Sequence, residues 1–239
     1  MTKRLLLASV ALAGAGVAAF FVTKSAHDEV APPPAAVASP AQLPDIPGLM
    51  AKAEKGDAEA EFLLGMAYGT GRGVTNNYTE AATWYRRAAD QGHAGAQASL
   101  GELYEAGQGV SKDLNEALKL YRTAAEHGNA NAQYTLGFLY EAGRGVPQDQ
   151  AQAAKWYKLA AEQGQAIAQY DLGQRYDLGV GVPVDRIEAL KWLMLAAANG
   201  QKDAATRLIT FKKSLSRAEI SEAKRRVAVF SNRGPQSQE

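Results

Sequence analysis

Residues 131–164 read NAQYTLGFLYEAGRGVPQDQAQAAKWYKLAAEQG. In the first part Ala132, Leu136 and Tyr140 recur every four residues, which puts them on one face of a helix. In the last part Ala153, Trp156, Tyr157, Ala160 and Ala161 form a second stripe, with Lys155 and Lys158 placed to face water. Between the stripes, Gly143 and Gly145 enclose Arg144. Such a turn is either a phosphate cradle or a joint between two helices.

The rest of the chain decides for the joint. Gly65, Gly101, Gly137 and Gly173 are spaced by 36 residues, each preceded by leucine and followed three residues later by Tyr68, Tyr104, Tyr140 or Tyr176. The paired glycines recur in register as Gly71/Gly73, Gly107/Gly109, Gly143/Gly145 and Gly179/Gly181. Ala81, Ala117, Ala153 and Ala189 follow, then Trp84, Leu120, Trp156 and Trp192, and each unit closes on Gly92, Gly128, Gly164 or Gly200. A period of this length in helical units signals a stack of helix pairs, because one pair cannot bury its own apolar face. Four units over about residues 57–200, with half-units at 48–55 and 201–230, predict an all-α solenoid of antiparallel helix pairs.

Local chemistry agrees. Asn77, Asp113, Asp149 and Asp185 stand where each second helix should begin, with Glu80, Glu116, Gln152 and Glu188 three residues on, the spacing of a capping box. Ser216 and Glu219 repeat that spacing ahead of a last helix. Glycine inside a helix costs about 1 kcal/mol against alanine. Its recurrence at Gly137 and its equivalents therefore implies close packing against a large side chain of the partner helix.

The unit A-x-A-x-x-x-L-G-x-x-Y-x-x-G-x-G-V-x-x-D-x-x-x-A-x-x-W-Y-x-x-A-A-x-x-G resembles the Sel1-like repeat, a relative of the tetratricopeptide repeat, over about residues 48–230. The resemblance implies a right-handed α-solenoid that acts as an adaptor in membrane-associated or envelope complexes. Asn77 for aspartate, Leu120 for tryptophan and Leu193 for tyrosine depart from the pattern. Some cysteine-rich members have been linked to penicillin binding or β-lactamase activity, but this chain has no cysteine.

Outside the repeats the sequence changes character. After Lys3 and Arg4, residues 5–22 are 18 residues without a charge, reaching about 27 Å as a helix. Residues 1–24 thus read as a membrane anchor or a cleaved signal peptide, with the cations favouring a cytoplasmic N-terminus and repeats in the periplasm. Residues 25–47 are a Pro/Ala-rich linker holding six of the nine prolines. Residues 231–239 read as a disordered tail. The expected place is the inner membrane, single-pass, or the periplasm after cleavage.

Little in the chain suggests chemistry. No lysine follows the Gly-x-Gly pairs, the preceding element is a helix rather than a strand, and arginine occupies the middle position in only two copies. His27, His93 and His127 form no local pair, and there is no Gly-x-Ser-x-Gly elbow. A net charge of +1 argues against nucleic acid as a partner. The expectation is a non-catalytic scaffold with no cofactor and no metal. Its alternatives are a peptidoglycan- or polysaccharide-binding module and a β-lactamase-like enzyme.

A partner should meet the first helix of each unit, one or two residues off the buried stripe. There Tyr134, Phe138 and Tyr170 are candidate anchors, with Gln133 and Gln169 as hydrogen-bonding neighbours and Glu102 and Gln174 alongside. Residues 201–233 carry nine Lys/Arg against three carboxylates, a basic cap suited to an anionic surface.

Overall fold

The structure is a computed structural model that describes residues 44–232. The anchor or signal segment, the linker before residue 44 and the tail from 233 lie outside the described residues. Among the described residues there are eleven helices and no strand. No helix among them is long and apolar enough to cross a membrane.

The four units fold as pairs: α2 (Ala58–Thr70) with α3 (Tyr78–Asp90), α4 (Ala94–Ala106) with α5 (Leu114–Glu126), α6 (Ala130–Ala142) with α7 (Gln150–Glu162), and α8 (Ala166–Leu178) with α9 (Arg186–Ala198). A short α1 (Ile46–Ala53) precedes them, and α10 (Lys202–Lys213) and α11 (Arg217–Asn232) follow. Each helix packs on its partner and on the neighbouring pair, so the chain is an α-solenoid. Helix α1 begins inside the expected linker: Asp45 caps it and Pro47 sits in its first turn, where a missing N–H costs nothing.

The joints work through their backbones. Gly143 ends α6 at φ 66, and Gly145 follows at φ 71, both in the left-handed region that favours glycine. Gly145 also lies against the preceding pair, where an added Cβ would sit 2.6 Å from Leu118 Cδ1. The first glycine stops the helix and the second admits the neighbouring repeat. Gly137 packs as expected, with Tyr157 ring carbons 2.7 Å from where a Cβ would stand. Tyr157 is almost fully buried there, a burial worth about 1.5–3 kcal/mol.

The second helices carry half of the predicted capping box. Asp149 Oδ1 accepts from the N–H groups of Ala151 and Gln152, both at 2.9 Å, and Asn77, Asp113 and Asp185 do the same at their helices. The reciprocal half is absent because the N–H of each capping residue already donates to a tyrosine carbonyl, Asp149 to Tyr140 at 2.9 Å. This frees Glu188 for Lys191 and Arg226. The Ser216–Glu219 box is complete, at 2.7 Å and 3.2 Å.

The last helix does not continue the stack. Helix α11 lies on α9, with Phe230 edge-on to Trp192 at 5.3 Å between ring centres and Ala223 fully buried. Arg226 pins it to Glu188 at 2.8 Å and Asp185 at 3.3 Å.

Candidate functional site

The first helices α2, α4, α6 and α8 present equivalent positions to one face. Gln133 and Gln169 were expected to line it, and the structure places them inside instead, together with Glu61 and Gln97 at the same repeat position. Gln133 and Gln169 are 0% and 1% exposed. Gln133 Nε2 donates to the Ala125 carbonyl at 3.1 Å, and its Oε1 accepts from Gln163 at 2.8 Å. Gln169 bonds in the same way to Ala161 at 3.0 Å and Asn199 at 2.9 Å, and Gln97 to Ala89 and His127. These side chains staple each first helix to the ends of two second helices, that of the preceding pair and that of its own. They are structural, because a polar group removed from water must find partners within the protein. Glu61 sits at the same position, ion-paired with Arg87 at 2.8 Å.

Tyr134 is half-buried and also works between repeats: its hydroxyl donates to Asp171 Oδ2 at 3.1 Å and its ring lies 5.3 Å from that of Tyr157. Phe138, Tyr170, Glu102 and Gln174 are partly exposed. Tyr170 leans on the last repeat's core. No cation is ion-paired with the Glu102 side chain among the described residues. Burial, reinforced by the neighbouring Glu105 charge, pushes its carboxyl up to about 7.

Around these residues runs a polar network that the repeat pattern concealed. Tyr121 donates to Glu105 at 2.9 Å, and Arg144 from the next joint pairs with the same carboxylate at 3.2 Å. One repeat on, Tyr157 donates to Glu141 at 2.7 Å while Arg175 pairs with Glu141 at 2.7 Å and lies 4.8 Å over the Tyr157 ring. Arg175 is 5% exposed and also donates to Gln150 at 2.9 Å. Arg207 pairs with Asp177 at 2.7 Å. Burial raises Asp171 to about 6. Arg144, one of only two arginines at its repeat position, thus holds one joint to the preceding first helix. Arg175 stands where earlier repeats have Leu103 and Leu139, and Asp171 where they have Ser99 and Thr135. Those departures were the signal available in the sequence.

The two described histidines, His93 and His127, are accounted for by the frame, and His27 lies outside the described residues. His93 Nδ1 accepts from the Ala96 N–H at 3.0 Å and caps α4, while Phe62 stacks on its ring at 4.5 Å. Among the described residues no group of three or more His, Cys, Asp or Glu is placed to hold a metal ion. The basic C-terminal cap is partly neutralised, since Arg207, Arg225 and Arg226 are all in ion pairs.

A family model for the Sel1 repeat matches residues 58–93, 94–129, 130–165 and 166–201. The chain belongs to the Sel1 repeat family. A solved Sel1 repeat protein from Oxalobacter formigenes is 36% identical, covering 74% of this chain and 75% of that one, with a TM-score of 0.63. The c5321 protective antigen of uropathogenic Escherichia coli, described as displaying an SLR fold, is 26% identical, with 81% and 52% covered and a TM-score of 0.50. This chain therefore spans about half of that antigen. Comparison with curated proteins returned no match. Sel1 repeats generally serve as scaffolds for protein–protein interaction and are typically non-catalytic.

Proposed function

We propose that this Sel1 repeat protein is a non-catalytic scaffold that holds a protein or peptide segment against the face of its first helices. Phe138, Tyr170, Glu102 and Gln174 form the contact surface, with Tyr134 at its edge. The observation that carries this reading is Glu102, a partly desolvated carboxylate without a cation, set among aromatic positions of the same face. A lysine or arginine of the partner supplies that missing cation, and the rings supply apolar anchorage. The uncharged segment 5–22 behind Lys3 and Arg4 supports membrane tethering with the repeats in the periplasm, in an envelope complex.

Crosslinking in intact envelopes, read by mass spectrometry, tests the surface. Phe138→Ala/Tyr170→Ala is expected to lose the partner that wild type captures, and Glu102→Gln to weaken it about tenfold. Equal recovery from the double variant and wild type removes this face from consideration.

A further inference from the structure

A second feature lies on the other side of the solenoid. Between α3 and α5, above α4, opens a cleft of about 280 Å³. Ala89, Leu100 and Leu120 form its floor, Tyr104 a wall, and Arg86 and Lys119 part of its rim. For scale, a cavity of about 150 Å³ accepts a benzene ring.

The other repeats show what normally fills this place. Leu120 occupies the position held by Trp84, Trp156 and Trp192. Each of those indoles packs between the first helix of its own pair and the helix before it: Trp84 with Ala53 and Leu64, Trp156 against the cluster containing Ala125 and Leu136, and Trp192 with Ala161 and Leu172. Leu120 packs on the matching residues, Ala89 and Leu100, but lacks the ring.

The surroundings retain the features that an indole uses elsewhere. Lys191 Nζ lies 4.3 Å from the Trp192 ring centre, and Lys119 is its repeat equivalent, mostly exposed and only loosely paired with Glu116 at 3.6 Å. Arg86 donates to the Tyr104 hydroxyl at 2.8 Å, and its guanidinium stands 5.8 Å over that ring. Cations at such distances stabilise an aromatic ring by its quadrupole.

We propose that this cleft is a socket for one aromatic side chain, an indole by preference, presented by an extended segment of a partner protein. The partner's ring completes in the second repeat the packing that the chain's own tryptophan completes in the others. The rim carries charges of both signs, from Arg86, Lys119, Asp90 and Glu116, which suits the polar backbone flanking a side chain in a peptide. The socket is separate from the Glu102 surface and does not depend on it.

The test titrates the full chain in detergent, with leucine methyls labelled for NMR, using the capped peptide Gly-Ser-Trp-Ser-Gly and its alanine counterpart. The tryptophan peptide is expected to shift the Leu100 and Leu120 methyls saturably, with a Kd of about 1 mM, and the alanine peptide to leave them unmoved. Leu120→Trp fills the socket from within. It is expected to abolish the Leu100 shift and raise the thermal midpoint by about 2–4 °C. Lys119→Ala, an exposed change that spares the core, is expected to weaken the peptide about threefold. Absence of a saturable shift in wild type, or an unchanged Leu100 shift in Leu120→Trp, overturns the proposal. Free indole binding as tightly as the peptide also overturns it, by assigning the cleft to a small molecule.

Discussion

Truncating Gln133 to alanine separates a structural side chain from a binding one. The change removes a donated bond to the Ala125 carbonyl at 3.1 Å and an accepted bond from Gln163 at 2.8 Å. The two losses are unequal. Gln163 is exposed and regains water, and the Ala125 carbonyl keeps a bond from the Gly128 N–H at 3.0 Å. The hydrogen-bond loss is therefore about 1 kcal/mol rather than the full penalty of two orphaned groups. The emptied space, in a site with 0% exposure, adds about 1–2 kcal/mol. Gln133→Ala is thus expected to destabilise by about 2–3 kcal/mol. Gln133→Leu keeps most of the volume and costs about 1–2 kcal/mol. Urea unfolding followed by circular dichroism reads both as a fall in midpoint at constant slope. A loss below about 0.5 kcal/mol for Gln133→Ala refutes the staple. So does intact stability combined with loss of the crosslinked partner, which returns Gln133 to the binding face.

Two further outcomes are expected. Gly137→Ala gains about 1 kcal/mol of helix propensity but drives a Cβ to 2.7 Å from Tyr157 ring carbons, an overpacking cost of about 2–3 kcal/mol. A net loss of about 1–2 kcal/mol in urea melts, relieved by the added Tyr157→Leu change, checks it, and a stabilised Gly137→Ala contradicts the packing argument. For pH, the folded Glu102 carboxyl is raised from 4.5 to about 7 by burial and by Glu105, so the unfolded chain releases that proton first. Stability therefore falls as pH rises from about 4.5 to about 7, and Asp171, raised from 3.8 to about 6, adds to the same slope. Glu102→Gln flattens this part of the profile and gains about 1–2 kcal/mol at pH 8, with screening of its partly exposed carboxylate allowed for. A wild-type profile that rises across this window contradicts the assigned direction.

The Sel1 frame is written in the sequence because it rests on short-range rules repeated every 36 residues. Glycines where φ turns positive, Asp or Asn at helix starts and an apolar residue every fourth position each act within a few residues. Four copies in register leave one architecture. Even the tight fit at Gly137 follows from asking why glycine recurs inside a helix. The faces of the first helices could not be read in this way. Helix α6 is packed by α7 of its own pair and by α5 of the preceding one, so its buried arc is wider than the Ala132–Leu136–Tyr140 stripe. A glutamine beside that stripe looks exposed until the neighbouring repeat is in place to supply the Ala125 carbonyl. The same holds for Arg175, whose partners Glu141, Gln150 and Tyr157 all come from the preceding pair. Local periodicity determined the helices and their joints. Contacts between repeats, such as Tyr134 with Asp171 and Arg175 with Glu141, decided which polar groups are structural and which remain free for a partner.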